Sequence, residues 1–301
     1  MATAEQVRAG LRATWHRVAD DCAVLPAGTT ATTWAVTVAS EPHAVTVVPP
    51  YCRGPLAAGL AVAEYLVGQQ YPASTGVRTV AGGLIGPLGD EVAALLRRAP
   101  GRPLDGTDPV DRQWWGDALG AAHQRLAGFR HPGMATFHSL RGDAPHLDVA
   151  EWVRPAVAGA VAAVRRLTVT DQLTYGVLHC EPAPAAFRLD PLTGRLGLAD
   201  WGPVASGPLT YDLAVAVVYA GGPDVAGDLI EAYLAAGPVS RGEAEAALPT
   251  MTLFRWAVYV DHFARRLAAA SGTAGADPDA AARRGLDAAR AALARLGGDP
   301  A

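Results

Sequence analysis

The alternation of apolar and polar positions divides the chain into a strand-rich first third and a helix-rich remainder. An amphipathic pattern over residues 4–19 predicts a helix, and residues 22–48 predict hairpin strands. In TTWAVTVASEPHAVTVVPP, β-branched alternation runs on both sides of a polar turn placed at Ser40–His43. A helix is predicted over 55–70, and GVRTVAGGLIGPLGDEVAALLRRAPGRPLDG reads as two further strands leading into a connector. Helical patterns then cover VDRQWWGDALGAAHQRLAGF, an Ala-rich stretch at 149–167, residues 225–236, the aromatic LFRWAVYVDHFARRL and about 278–296. Between the second and third of these lies the stretch 174–222. It holds a short apolar strand (Val177, Leu178), a polar loop opened by His179, a hairpin turned at Pro191–Gly194, and a second strand ending at Asp200. A loop rich in Gly and Pro follows, then a long apolar helix beginning at Tyr211-Asp212. No internal repeat is present.

Composition narrows the reading. Half of the 301 residues are apolar, enough for a large core and for two lobes around one cleft. A net charge of −4 without any basic run argues against a nucleic-acid partner. All 25 basic residues are Arg, a bias expected of a very GC-rich genome such as an actinobacterium's, so no lysine is available for chemistry. Cys22, Cys52 and Cys180 form neither an even set nor a CxxC pair, which indicates neither a disulfide framework nor a zinc site. The first residues lack the apolar core of a secretory leader, and no apolar run reaches a membrane span. A soluble cytoplasmic protein with no membrane partner is the expectation.

Ionisable residues gather where two buried strands emerge, the usual place for loop-borne chemistry. His179-Cys180-Glu181, Ala186, Asp200-Trp201-Gly202 and Tyr211-Asp212-Leu213-Ala214 together resemble the aminoglycoside phosphotransferase and choline kinase family. That family carries His-Gly-Asp with Asn five residues on, then Ile-Asp-Trp, then Tyr-Asp-Leu-Ala. Gly120-Ala121-Ala122-His123 further resembles its Ala-x-x-His helix. The resemblance implies an α+β, two-lobe protein-kinase-like fold. A small β-rich N-lobe would cover residues 1–98, and a larger, mostly helical C-lobe residues 99–301, carrying the catalytic-type loop 177–202.

Each group the family uses can be sought in turn. The strand Lys that holds phosphates falls at Thr46 or a neighbour, and Arg53 just past the strand is either a phosphate clamp or a solvated loop arginine. The helix Glu that pairs with the Lys falls at Gly59, with Glu64 more than a turn late. The catalytic Asp becomes Glu181, a base, an orienting group or merely a loop cap, with His179 beside it in a mainly structural role. The metal-binding Asn becomes Ala186, which leaves Asp200 as the metal ligand for at most one ion. Asp212 is expected to accept backbone hydrogen bonds from the 179–182 loop. Cys180, where the family has Gly, is a thiolate nucleophile or a small buried filler.

Three functions follow as expectations. In the first, eroded ATP and Mg²⁺ machinery leaves a repurposed cleft that binds or modifies a small molecule or peptide in bacterial secondary metabolism, with a partner enzyme in attendance. A similarity to kinase-like subunits of peptide natural-product pathways points the same way. The second is a genuine ATP-dependent O-phosphotransferase, with Glu181 orienting a hydroxyl and Asp200 on Mg²⁺. The third is a non-catalytic pseudokinase scaffold. ATP and Mg²⁺ are cofactors only under the second.

Overall fold

A computed structural model describes residues 2–25, 31–137, 140–170, 172–202, 204–271 and 279–297. Helix α1 (Ala4–Trp15) starts at Thr3, whose hydroxyl accepts from Gln6 N while Gln6 Oε1 accepts from Thr3 N. It buries Val7, Leu11 and Trp15, one turn apart, and ends where His16 adopts a left-handed φ of 49°. The helix predicted over 4–19 thus stops early, because Ala19 already begins a strand.

That strand, β1 (Ala19–Val24), pairs with β2 (Thr32–Val38), which pairs with β3 (Glu41–Val48), all antiparallel. Residues 26–30 of the predicted hairpin region lie outside the described residues. The β2–β3 turn sits at Ala39-Ser40, both with positive φ (52° and 64°), and not at Ser40–His43. The polar look of Glu41 to His43 misled: His43 is an inward-facing strand residue, buried with Nδ1 at 2.9 Å from the Glu41 carbonyl. After helix α2 (Arg53–Gly68) come three strands where two were predicted: β4 (Gly76–Val77), β5 (Gly86–Leu88) and β6 (Glu91–Arg97). The sheet order is β1-β2-β3-β6-β4, with β5 on β6.

Alternation along the sheet gives it two apolar faces. Val45, Val47, Ala93 and Leu95 join α1, whereas Val48 and Ala94 pack with Leu56 and Leu60 of α2. The opposite stripe of α2, Ala58, Val62, Ala63 and Leu66, belongs to the large core of the C-terminal part. One helix therefore ties the sheet to everything below it.

The C-terminal part begins with β7 (Arg102–Pro103) and α3 (Pro109–Arg125), capped by Asp108 accepting from Val110 N and Asp111 N. Then come β8 (Ala135–Thr136), α4 (Val153–Thr168), β9 (Tyr175–Leu178), β10 (Phe187–Leu189), β11 (Leu196–Leu198), β12 (Ala205–Pro208), α5 (Thr210–Tyr219), α6 (Gly227–Ala236), α7 (Arg241–Ser271) and α8 (Ala280–Arg295). The predicted start of the last helix at 278 lies outside the described residues. Two small sheets, β11-β10-β7 and β8-β12-β9, carry the loops of interest above the helices. The architecture is α+β, with a β-rich N-terminal lobe and a helical C-terminal lobe.

Candidate functional site

Strand β9 delivers His179 to the surface of the helical core, and α5 fixes the loop that follows. Asp212, in the first turn of α5 and fully buried, accepts from His179 N at 2.6 Å and Cys180 N at 2.9 Å. This is the role its position predicted. His123 Nε2 lies 3.2 Å from the same carboxylate, and its Nδ1 lies 2.8 Å from the Tyr233 hydroxyl. A buried carboxylate bonded on this many sides holds the loop in one shape.

His179 is itself fully buried, its Nε2 donating to the Ala199 carbonyl at 2.7 Å and its ring edge-on to Trp201. It links the loop to the strand end that bears Asp200 and does not reach the cleft. Cys180 has a φ of 66°. That left-handed backbone suits glycine and strains other residues, so the side chain sits there at some cost. Its thiol is buried, and burial first, then the Asp212 charge, pushes its pKa well up. A neutral, enclosed thiol is the opposite of an activated nucleophile.

Glu181 points outward and finds partners that its sequence neighbourhood does not contain. Its Oε1 accepts from Arg255 Nη2 at 2.6 Å and from the Tyr219 hydroxyl. Arg255, from the middle of α7, is only 3 % exposed and lies 4.1 Å from the centroid of the Tyr259 ring. Burial works against its charge, but Tyr211, Glu181, Tyr259 and Tyr219 outweigh burial and raise its pKa. Burial, then the Glu181 charge, holds the Tyr219 phenol firmly protonated, so it donates. Sequence reasoning missed both partners; the available signal was an arginine inside the aromatic stretch LFRWAVYVDH. Trp256 and Tyr259 adjoin the cluster, with ring centroids 5.6 Å apart, whereas Trp115 is core and supports the loop by donating Nε1–H to the Pro182 carbonyl.

Asp200 stands two residues beyond β11, exposed, with a left-handed φ of 61° that Asp tolerates. Ala186 is buried behind it, its carbonyl accepting from Ala199 N at 2.8 Å. Thr46 pairs with Thr33 and Ala94 on the sheet face turned towards α2. Arg53 is exposed and is the first residue of α2, one turn beyond β3. Gly59 meets the Trp201 carbonyl so closely that a Cβ there would lie 1.7 Å from the oxygen. Glu64 turns away to pair with Arg78 at 3.5 Å on the surface. Glu181 follows β9 and Asp200 follows β11, with His179 tying the two segments together through the Ala199 carbonyl, whereas Arg53 and Thr46 lie in the N-terminal lobe. Among the described residues, no three His, Cys, Asp or Glu side chains gather as a metal site, and no helix is long and apolar enough to cross a membrane.

Comparison with known proteins agrees with this architecture. The sequence model described as the phosphotransferase enzyme family matches residues 21–248. No curated protein matches the chain in sequence. Among solved structures, the amicoumacin kinase hAmiN in complex with AMP-PNP, Ca²⁺ and Ami is similar at a TM-score of 0.71 and 14 % identity, covering 96 % of this chain and 93 % of its own. The spectinomycin phosphotransferase in complex with ADP and spectinomycin has a TM-score of 0.66 and 12 % identity over 95 % and 94 % of the two chains. The choline kinase LicA from Streptococcus pneumoniae has a TM-score of 0.63 and 13 % identity over 97 % and 98 %.

Proposed function

Given that this chain belongs to the phosphotransferase enzyme family, we propose that its inter-lobe cleft binds or modifies a small molecule or peptide of bacterial secondary metabolism without ordinary Mg²⁺–ATP phosphoryl transfer. The observation that carries this reading is the state of Glu181. A carboxylate that is to take a proton from an attacking hydroxyl must be free to do so. Here one oxygen already accepts from a buried guanidinium at 2.6 Å and from a phenol.

The donors at hand do not fit the nucleotide and metal that the family implies. No lysine exists in the chain, Ala186 offers no metal ligand, and Gly59 lets α2 rest directly on the Trp201 carbonyl where an ion pair would need room. What remains suits binding: a half-exposed carboxylate, the aromatic rings of Tyr219, Tyr259 and Trp256, and the exposed Asp200. The small molecules named with the similar kinases, Ami and spectinomycin, support a small-molecule ligand.

Calorimetric titration of ATP and of a non-hydrolysable analogue, with and without Mg²⁺, tests the reading. No binding at millimolar nucleotide is expected. Micromolar binding that requires Mg²⁺ and disappears in Asp200→Ala would overturn it, in favour of a phosphotransferase with Asp200 on the ion.

A further inference from the structure

Arg188 is a half-buried guanidinium to which no carboxylate among the described residues is bonded. In β10, Phe187 and Leu189 point into the lower core, so Arg188 between them points the other way, up towards the N-terminal lobe. On the facing lobe, Ala93 and Leu95 of β6 turn to α1 while Ala94 and Leu96 turn to α2 and the cleft. Continuing the alternation brings Arg98 to that second face, shared with Thr46, and its amide still bonds the Pro42 carbonyl at 3.3 Å. The connection is short, because β7 follows at Arg102 and lies beside β10, with Arg188 opposite Pro103. Burial first, then the Arg98 charge, pushes the Arg188 pKa down, and Asp200 opposes them from nearby without a hydrogen bond.

We propose that the cleft holds its ligand through an anionic group, a carboxylate or a phosphate, seated between Arg188 and Arg98. The inference deepens the cleft reading above and rests on it. Desolvating a cation next to a like charge is unfavourable unless an anion arrives. Guanidinium forks match carboxylate and phosphate oxygens, and two of them on opposite walls would join the lobes around the ligand. Asp200, at the rim, then disfavours anions that extend past the seat.

The test is titration of the intact chain with sodium malonate and with inorganic pyrophosphate at low salt. At least one is expected to bind, roughly tenfold or more weakly in Arg188→Gln and in Arg98→Gln. Arg141→Gln, remote from the cleft and paired with Asp143, should bind like the parent. Preference for malonate identifies a carboxylate ligand and preference for pyrophosphate a phosphate. The ligand-free thermal midpoint of Arg188→Leu should hold or rise, as no structural pair is lost. The proposal is overturned by absence of binding to about 10 mM of either anion, by binding indifferent to both arginines, or by a fall of several degrees in Arg188→Leu. Mg²⁺-dependent ATP binding lost in Asp200→Ala would instead sink the cleft reading, so the two failures are told apart.

Discussion

Arg255 Nη2 lies 2.6 Å from Glu181 Oε1 across 74 residues of sequence, and the two differ sharply in exposure: 3 % for the arginine against 43 % for the glutamate. The asymmetry decides what each substitution does. Glu181→Gln leaves a buried cation without its counter-charge and should cost about 1–3 kcal/mol, at the lower end because solvent screens the glutamate. Arg255→Met removes the buried charge and lets Glu181 face water, so it should cost less than an orphaned guanidinium would. Urea midpoints of the two single variants and the double variant check this. Strict additivity would mean that the pair is not coupled.

Asp212 supplies a second prediction, because it holds the loop from beneath. Asp212→Ala removes the acceptor for two backbone amides and strands His123 in a dry interior. A loss of about 3–5 kcal/mol is expected, together with faster hydrogen exchange at the amides of residues 179 and 180. Unchanged protection at those amides would show that the loop does not depend on this carboxylate.

Much of this was legible in the sequence, for reasons that particular residues make plain. The hairpin around β2 and β3, the strand at Val177-Leu178 and the helix from Thr210 follow from local periodicity, and Asp212 follows from its place in the first turn of that helix. The retained Tyr-Asp-Leu-Ala run and strand-end Asp200 gave the family. What could not be read is what distant segments bring together. Nothing near Glu181 announces Arg255, and nothing near Gly59 announces the Trp201 carbonyl. The turn was misplaced because a polar strand residue such as His43 looks like a turn until the sheet it faces is known.

Cys180 should be the last thiol to react. Burial raises the pKa of all three cysteines, but Cys180 is the fully enclosed one, whereas Cys22 and Cys52 are half-buried. A thiol reagent at pH 8 is therefore expected to label Cys22 and Cys52 in the folded protein and Cys180 only after unfolding. Cys180→Gly should leave stability within about 1 kcal/mol of the parent, since relief of the positive φ offsets lost packing. Rapid labelling of Cys180 in the native state would revive it as a nucleophile.

Acid should weaken the start of α3. The Asp111 carboxylate accepts from Arg102 Nη1 and Nη2 at 2.6 and 2.8 Å and from Asp105 N at 2.7 Å. The Arg102 bond is the leading cause that lowers its pKa below the ordinary 3.8, against a smaller opposing effect of burial. A carboxyl lowered on folding contributes stability that is present above its unfolded pKa and lost as pH falls through the folded one. Stability should therefore drop below about pH 4, and less steeply in Asp111→Asn, which has already lost the pair at pH 7. Parallel urea midpoints against pH for the two proteins would remove this assignment.

Gly59 makes the sharpest steric prediction. A methyl group there would meet the Trp201 carbonyl carbon and oxygen at 2.7 and 1.7 Å, and backbone on the far side of a packed helix cannot step aside as a side-chain tip can. Gly59→Ala must push α2 off the segment that carries Asp200. It should cost about 3 kcal/mol or more, as overpacking at a rigid contact does. Gly68, at the end of the same helix, meets nothing within 4 Å, so Gly68→Ala should gain up to about 1 kcal/mol from helix propensity alone. Opposite signs for one substitution in one helix would separate contact from propensity. If Gly59→Ala proved as harmless as Gly68→Ala, α2 would not rest on Trp201, and the cleft would keep the room that phosphoryl transfer needs.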